Sequence, residues 1–361
     1  MTKQLFTLFM CAIFLTGVVV AQDSTKSVSI SGGLDAYYRH NFSATSANNF
    51  TSFTGSQNSF ELGMATLRAD ATALSGKVTA TLDLGFGRRA EDFSYNDGTL
   101  EQNKNGFISL QSIKQAYVTY APSSKVKFTM GKFGTHVGYE LVDAQLNRNY
   151  SMSYMFTNGP FFHTGAKMDI TAGALGFMIG VANYTDQSSA TNNVNSLLAQ
   201  VSGGTKDGKL KAYLNFVSSF GSKQKAIPGG ASGLKSLSQI DLVVNATLSS
   251  KVTLGYNGTV QSRNDGQDGT SWWGSAVYLN YDPSAAVGFT WRNEYIGDKD
   301  MNLAGAKNIY ASTLSMNYKV GPLTFIPELR FENAQAKIFT KSDGAGSKST
   351  MSALFACVYK F

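Results

Sequence analysis

The chain of 361 residues has 31 Lys and Arg against 24 Asp and Glu, a formal net charge of +7, and is rich in Gly (36), Phe (24) and Tyr (17) with only 6 Pro. Charged residues make up 15%, well under the roughly 25% usual in soluble domains, yet mean hydropathy is near neutral at -0.12. The balance argues against a large soluble enzyme. It argues equally against a helical membrane bundle, because beyond the N-terminus no apolar run approaches the ~20 residues of a spanning helix.

The chain opens "MTKQLFTLFMCAIFLTGVVVAQDS", with a positive charge at Lys3, an apolar stretch from Leu5 to Val20, and small residues at Val19 and Ala21 before a polar segment. This is the layout of a secretory signal peptide, expected over residues 1–21. A retained anchor is the alternative, disfavoured by the shortness of the apolar stretch. Cys11 lies inside that stretch, so Cys357 is the one cysteine expected in the mature chain, 22–361. No intramolecular disulfide or cysteine-based metal cage can then form, and export without disulfides points to bacteria.

From there the sequence falls into pieces of about ten to thirteen residues in which every second residue is apolar, the period of a strand wetted on one face. In chain order the expected strands are 27–41, 59–73, 77–89, 107–120, 125–133, 162–171, 174–184, 195–203, 208–218, 237–248, 251–262, 271–281, 286–296, 308–319, 323–334 and 349–361. "KVTLGYNGTVQ" shows the pattern, with Val252, Leu254, Tyr256 and Val260 on one face and Thr253, Asn257, Thr259 and Gln261 on the other. Connections alternate between short ones ("LSGK", "APSSK", "LSSK", "DPSA", "VGPL") and long ones ("SATSANNFTSFTGSQN", "AEDFSYNDGTLEQNKNG", "TKSDGAGSKST"). An all-β, antiparallel up-and-down transmembrane barrel of about 16 strands follows, because only a closed sheet can pair all its backbone groups in hydrocarbon. A soluble sandwich is the competitor, but its strands are usually shorter. Pro327 interrupts one expected strand and predicts a bulge there.

Strand parity assigns the faces. Tyr38, Tyr120, Phe128, Tyr281, Phe289, Trp291, Tyr310, Tyr318 and Tyr359 fall on the outward face, as a headgroup-level girdle requires. The lumen receives Arg39, Arg68, Arg89, Lys127, Lys167, Arg292 and Arg330, with Asp35, Asp83, Asp241, Glu294, Glu328 and Glu332 among the acids. In a barrel wide enough for an aqueous channel these charges are expected to be hydrated; mutual pairing that stiffens the wall is the alternative. Their slight basic excess points to a weak anion preference.

The longest connection, about 134–161, carries aromatic and apolar residues that need burial. It is expected either to fold into the lumen, where His136, Glu140, Asp143 and Arg148 would narrow the pore, or to cap the barrel from outside. Here Gly131-Lys132-Phe133, Glu140 and Asp143, Asn149-Tyr150-Ser151 and Gly159-Pro160-Phe161-Phe162-His163-Thr164-Gly165 follow in order. This stretch resembles the signature of the OmpL-like outer-membrane β-barrel porin family common in Bacteroidetes and relatives. The resemblance implies a porin barrel and brings no catalytic residue with it.

The leading expectation is an outer-membrane passive diffusion channel for small hydrophilic solutes, with no cofactor and no enzymatic activity. An adhesin or receptor acting through the long loops is the second. A lipolytic enzyme would need a serine activated by His40, His136 or His163 at the lipid boundary, and no motif ties these together. No metal-ligand spacing or nucleic-acid motif stands out. Expected partners are outer-membrane lipid, the solutes and the barrel assembly machinery, with a homotrimer as one permitted assembly. Tyr359 and Phe361 close an alternating apolar strand that resembles the signal read by that machinery. Deleting Phe361 is expected to lower the yield of membrane-inserted protein while leaving the ion selectivity of assembled molecules unchanged; normal insertion of the truncated chain would refute this role.

Overall fold

The computed structural model describes residues 26–45, 47–97, 110–190, 194–221, 236–264, 269–298, 300, 303 and 305–361; the expected signal peptide lies outside them. The strands are β1 (Ser27–Asn41), β2 (Ser59–Ala73), β3 (Val78–Phe86), β4 (Ile113–Ser123), β5 (Val126–Gly134), β6 (Phe162–Ala172), β7 (Leu175–Asn183), β8 (Val194–Gly204) and β9 (Leu210–Gly221). They continue as β10 (Ser236–Thr247), β11 (Val252–Asn264), β12 (Gly269–Tyr281), β13 (Val287–Gly297), β14 (Asn308–Val320) and β15 (Leu323–Ala334). A two-residue pair, β16 (Phe339–Thr340) and β17 (Gly346–Ser347), precedes β18 (Ser349–Lys360).

Each strand of the main sheet pairs antiparallel with its chain neighbours, and β18 pairs with both β15 and β1, so 16 strands close into a barrel. The seam runs from Asn41 opposite Ser352 to Gly33 opposite Lys360. Beyond it, Phe361 and Gly32 exchange two backbone hydrogen bonds of 3.1 Å. Gly32 is required there, since a Cβ would lie 2.4 Å from the Thr66 carbonyl oxygen on β2 and 2.7 Å from the Phe361 ring.

Period-two burial follows the expected parity. The outward face carries exposed Leu67, Leu82, Leu279, Leu314 and Leu329, with Tyr120, Tyr281, Trp291, Tyr310 and Tyr318 among its rings. The inward face is polar, and much of it is buried: Asp35, Asp241, Arg292, Glu294, Glu328, Arg330 and Glu332 all lie below 5% exposure. The expectation that these charges are hydrated is therefore corrected on this part of the wall, where chain covers them and the alternative of mutual pairing holds for Arg330 with Glu294 and Glu332.

Three local readings also change. The strand expected to reach residue 89 ends at Phe86, because Gly87 at φ 113 turns the chain into a short helix, Arg88–Phe93. Arg89 therefore sits in that helix, fully buried, and not on a strand. The strand expected from 107 begins at Ile113, after a 3-10 turn over Leu110–Ser112, while 107–109 fall outside the described residues. Pro327 makes no bulge: β14 and β15 keep one register from Ser315 opposite Glu328 to Tyr318 opposite Phe325, and the ladder only skips the pairs between. Its missing N–H costs a gap toward β14, whereas pairing to β18 runs unbroken through Pro327 opposite Phe355. Bulges occur instead opposite Asp35/Ala36, where Gly63 is the extra residue on β2, and opposite Asp83/Leu84, where Lys114 is the extra residue on β4.

Candidate functional site: the segment inside the barrel

The connection between β5 and β6 meets inward-facing residues almost all the way round the barrel. Gly138 N–H donates to Asp241 of β10 at 2.9 Å, and the Tyr139 ring stacks on Tyr278 of β12 with centroids 4.1 Å apart. Glu140 accepts from the Arg292 guanidinium of β13 at 2.5 Å, and Asp143 accepts from Lys114 of β4 at 2.6 Å. Arg148 reaches the turn after β12, pairing with Asp282 at 2.6 Å and donating to Thr290 at 2.7 Å. The Tyr150 hydroxyl donates to Asp35 of β1, and that of Tyr154 to Glu332 of β15 at 2.8 Å.

Main-chain groups of the segment carry much of this attachment. Tyr150 and Ser151 N–H donate to Glu328 (2.9 and 3.3 Å), Ser153 N–H to Glu140 (2.8 Å) and Tyr154 N–H to Glu294 (2.8 Å). In return Arg292 donates to the carbonyls of Ser151 and Met152, and Arg330 to that of Met152 at 2.9 Å while pairing with Glu294 and Glu332 at 3.1 Å each. An irregular segment has main-chain donors and acceptors that no ladder uses, and buried polar groups must find partners. Wall carboxylates take the donors and wall guanidinia take the acceptors. Apolar contacts fill the remainder: Tyr154 and Met155 pack with Trp272, Tyr278 and Ile296. Two wall glycines make room, since a Cβ on Gly255 would meet the Tyr139 ring at 2.5 Å and one on Gly274 would meet Met155 at 2.4 Å.

Arg89 secures the segment from its other side. Its guanidinium lies 5.0 Å from the Phe53 ring centroid and 4.7 Å from that of Tyr150, and it donates to the carbonyls of Val142 and Tyr150. Burial raises the Tyr150 phenol well above its ordinary pKa, which keeps it protonated as a donor. At the start of the segment, His136 Nε2 lies 3.1 Å from the Phe216 carbonyl, and its ring is 5.6 Å from that of His163. Burial pushes the His136 imidazole down to about 4, so it is neutral near pH 7 and adds no charge to the lumen. His163 is fully buried beside Thr135, away from any lipid boundary.

The remaining sequence-selected residues divide into two groups. Arg39 is buried and donates to the carbonyls of Ala47 and Ser56, holding the first long connection. Asp83 is buried against Lys114 and Gln115. By contrast Arg68, Lys127 and Lys167 lie on the opposite wall with side chains 32%, 51% and 21% exposed, each within 4 Å of a similarly open Asp70 or Asp169. Parity missed Lys114, because the bulge at Asp83/Leu84 turns it inward out of phase. It also could not find the main-chain donors of Tyr150 to Tyr154, whose signal is only that a polar, aromatic connection sits among so many inward acids.

The family model described as "Putative beta-barrel porin-2, OmpL-like" matches residues 27–361. The chain belongs to that family. Solved structures of like fold include the outer membrane channel DcaP of Acinetobacter baumannii, at 12% identity and TM-score 0.63 over 94% of this chain and 98% of that one. The anion-selective porin from Comamonas acidovorans matches at 12% identity and TM-score 0.60, over 93% and 100%. OmpT of Vibrio cholerae in its trimer form matches at 13% identity and TM-score 0.59, over 94% and 100%. At these identities the likeness is one of fold. A search of curated proteins found no match. Family and fold together make this a porin-type, outer-membrane β-barrel.

Arg292 is the attachment whose loss should matter most. Arg292→Ala leaves Glu140 buried without its counter-charge and Glu294 with Arg330 alone, and breaking such a buried pair costs about 3–5 kcal/mol in comparable sites. Arg68→Ala, which removes a solvated pair, should cost about 1 kcal/mol or less. The expected result is faster proteolysis within 140–154 for Arg292→Ala only, and equal protection of the two variants would contradict the arrangement.

Proposed function

We propose that this barrel is a passive diffusion channel for small hydrophilic solutes, weakly selective for anions, in the bacterial outer membrane. The observation that carries the reading is the division of the lumen. The wall from β10 through β15 to β1 is covered by the inward segment, and Asp83, Lys114, Lys132, Leu198 and Asn215 are buried farther along β3 to β9, while the second wall, toward the short connections of β2 to β8, presents part-exposed polar side chains such as Asp70, Tyr117, Lys127, Lys167, Asp169 and Gln200. A water-filled path along that second wall lets solutes move down their gradients without cofactor or energy input, and such a path has no need of a reacting group. The net charge of +7 supports the anion preference.

The exposed apolar outward face supports contact with lipid. The segment 134–161 would set the width of the path, with Glu140 and Asp143 acting from buried positions that fix it to the wall and Arg148 pinned part-exposed to Asp282. A homotrimer is supported by the trimer form in which Vibrio cholerae OmpT was solved. Assembly by the barrel machinery is supported by the outward alternation that ends at Tyr359 and Phe361.

Purified protein should migrate faster unboiled than boiled on a denaturing gel and should give stepwise conductance in a planar bilayer. Excising residues 139–154 should enlarge the step. A heat-invariant band with no current would overturn the channel reading, and an unchanged step after excision would remove the segment from the pore.

A further inference from the structure

The hairpin turns at the short-loop rim share a feature that the lumen does not. "LSGKV", "PSSKV" and "LSSKV" place Lys77, Lys125 and Lys251 immediately before β3, β5 and β11, and "TKDGKL" places Lys209 before β9. The four occupy one structural position: their carbonyls accept the backbone N–H of Ala121, Thr171, Asp282 and Thr247, extending the ladder by one step. The residue that follows each is an outward Val or Leu, so ladder alternation puts the lysines on the channel side of the rim. Lys319 and Lys360 take inward positions at the same rim on β14 and β18. All six are exposed.

The two acids in these turns are already engaged, Asp207 with Lys209 at 3.5 Å and Asp282 with Arg148 at 2.6 Å. Between the turn at Thr205 to Gly208 and its neighbour opens a cavity of about 370 Å³, lined by Lys206, Lys211 and Tyr213. Lys209 is thus partnered, by a solvated pair, while no salt bridge is seen for Lys77, Lys125, Lys251, Lys319 or Lys360 among the described residues; the rim differs from the lumen interior, where acids and bases are paired with one another or with the inward segment.

We infer that this lysine collar, at the mouth that faces the periplasm, is the anion-selecting element of the channel, and that it favours small anions of higher valence such as phosphate- or carboxylate-bearing solutes. The inference rests on the channel reading above. Lys77 and Lys125, and likewise Lys209 and Lys251, precede strands two apart, about 10 Å, and about 20 Å separates the two pairs. The shorter distance is about one Debye length at 0.1 M salt and three at 1 M. At about 0.01 M, where the Debye length is roughly 30 Å, their fields merge into a positive ring that raises the local concentration of each anion according to its charge. At 1 M they act as isolated points and the ring disappears.

The test is the reversal potential across a potassium chloride gradient, repeated with potassium sulfate, in dilute and in molar salt. The unsubstituted channel should prefer anions in dilute salt, sulfate more than chloride, and lose the preference near 1 M. Combining Lys77→Gln, Lys125→Gln, Lys209→Gln and Lys251→Gln should abolish the dilute-salt preference, whereas Lys337→Gln, Lys341→Gln and Lys348→Gln at the opposite rim should leave it in place. The unboiled gel band of each variant reports that the barrel has formed. Channel steps with the same potential in both variants, or a preference that persists at 1 M, would overturn the collar alone. An absence of steps from the unsubstituted protein would overturn the channel reading as well.

Discussion

Hydrocarbon offers a backbone no hydrogen-bonding partner, so a strand can cross it only when both of its edges are paired. Everything else in this chain is arranged around that demand. It explains why β18 returns to β1, why Gly32 yields its side chain so that Phe361 can extend the seam, and why Pro327 is tolerated with a skipped pair but not with a shifted register. The apolar outward face and the polar inward face are consequences of closure: once the sheet is a tube, alternate residues meet lipid and lumen.

Closure creates a second problem on the inside. A tube of this circumference holds more polar wall than a packed core could accept, and the segment between β5 and β6 is buried against much of it. The segment is irregular, so its amides and carbonyls have no ladder; the wall is acidic and basic by turns, so its carboxylates and guanidinia need partners. Each answers the other. Glu328 accepts from two amides and Glu294 from another, and Arg292 and Arg330 donate to the carbonyls between them. Replacing such a network by apolar residues can be stabilising, but an apolar interior would leave no wet path, so the ionic arrangement is the one compatible with a channel.

Strand positions were legible because each is written twice, in its own alternation and in the turn that follows; even the weakly patterned β7 and β8 fell within one or two residues of expectation. The errors sit where a backbone irregularity breaks the period: Gly87 ends β3 early, and the bulge at Asp83/Leu84 swings Lys114 inward. The family resemblance came from the stretch around 131–168, and the family match extends over 27–361. Parity correctly listed Asp35, Arg292, Glu328 and Arg330 as inward but took them to be hydrated. Whether an inward charge meets water or chain depends on where a distant connection lies, and alternation within one strand holds no record of that. The aromatic content of 134–161 hinted that it needed burial, while its partners emerged only with the fold.

The account depends on the inward segment being fastened to the wall through its own backbone. Hydrogen–deuterium exchange of the assembled barrel measures this directly at the amides of Tyr150, Ser151 and Tyr154. Protection comparable to that of the strand amides of β13 and β14 is the predicted result. Exchange as fast as in an exposed surface connection would contradict it.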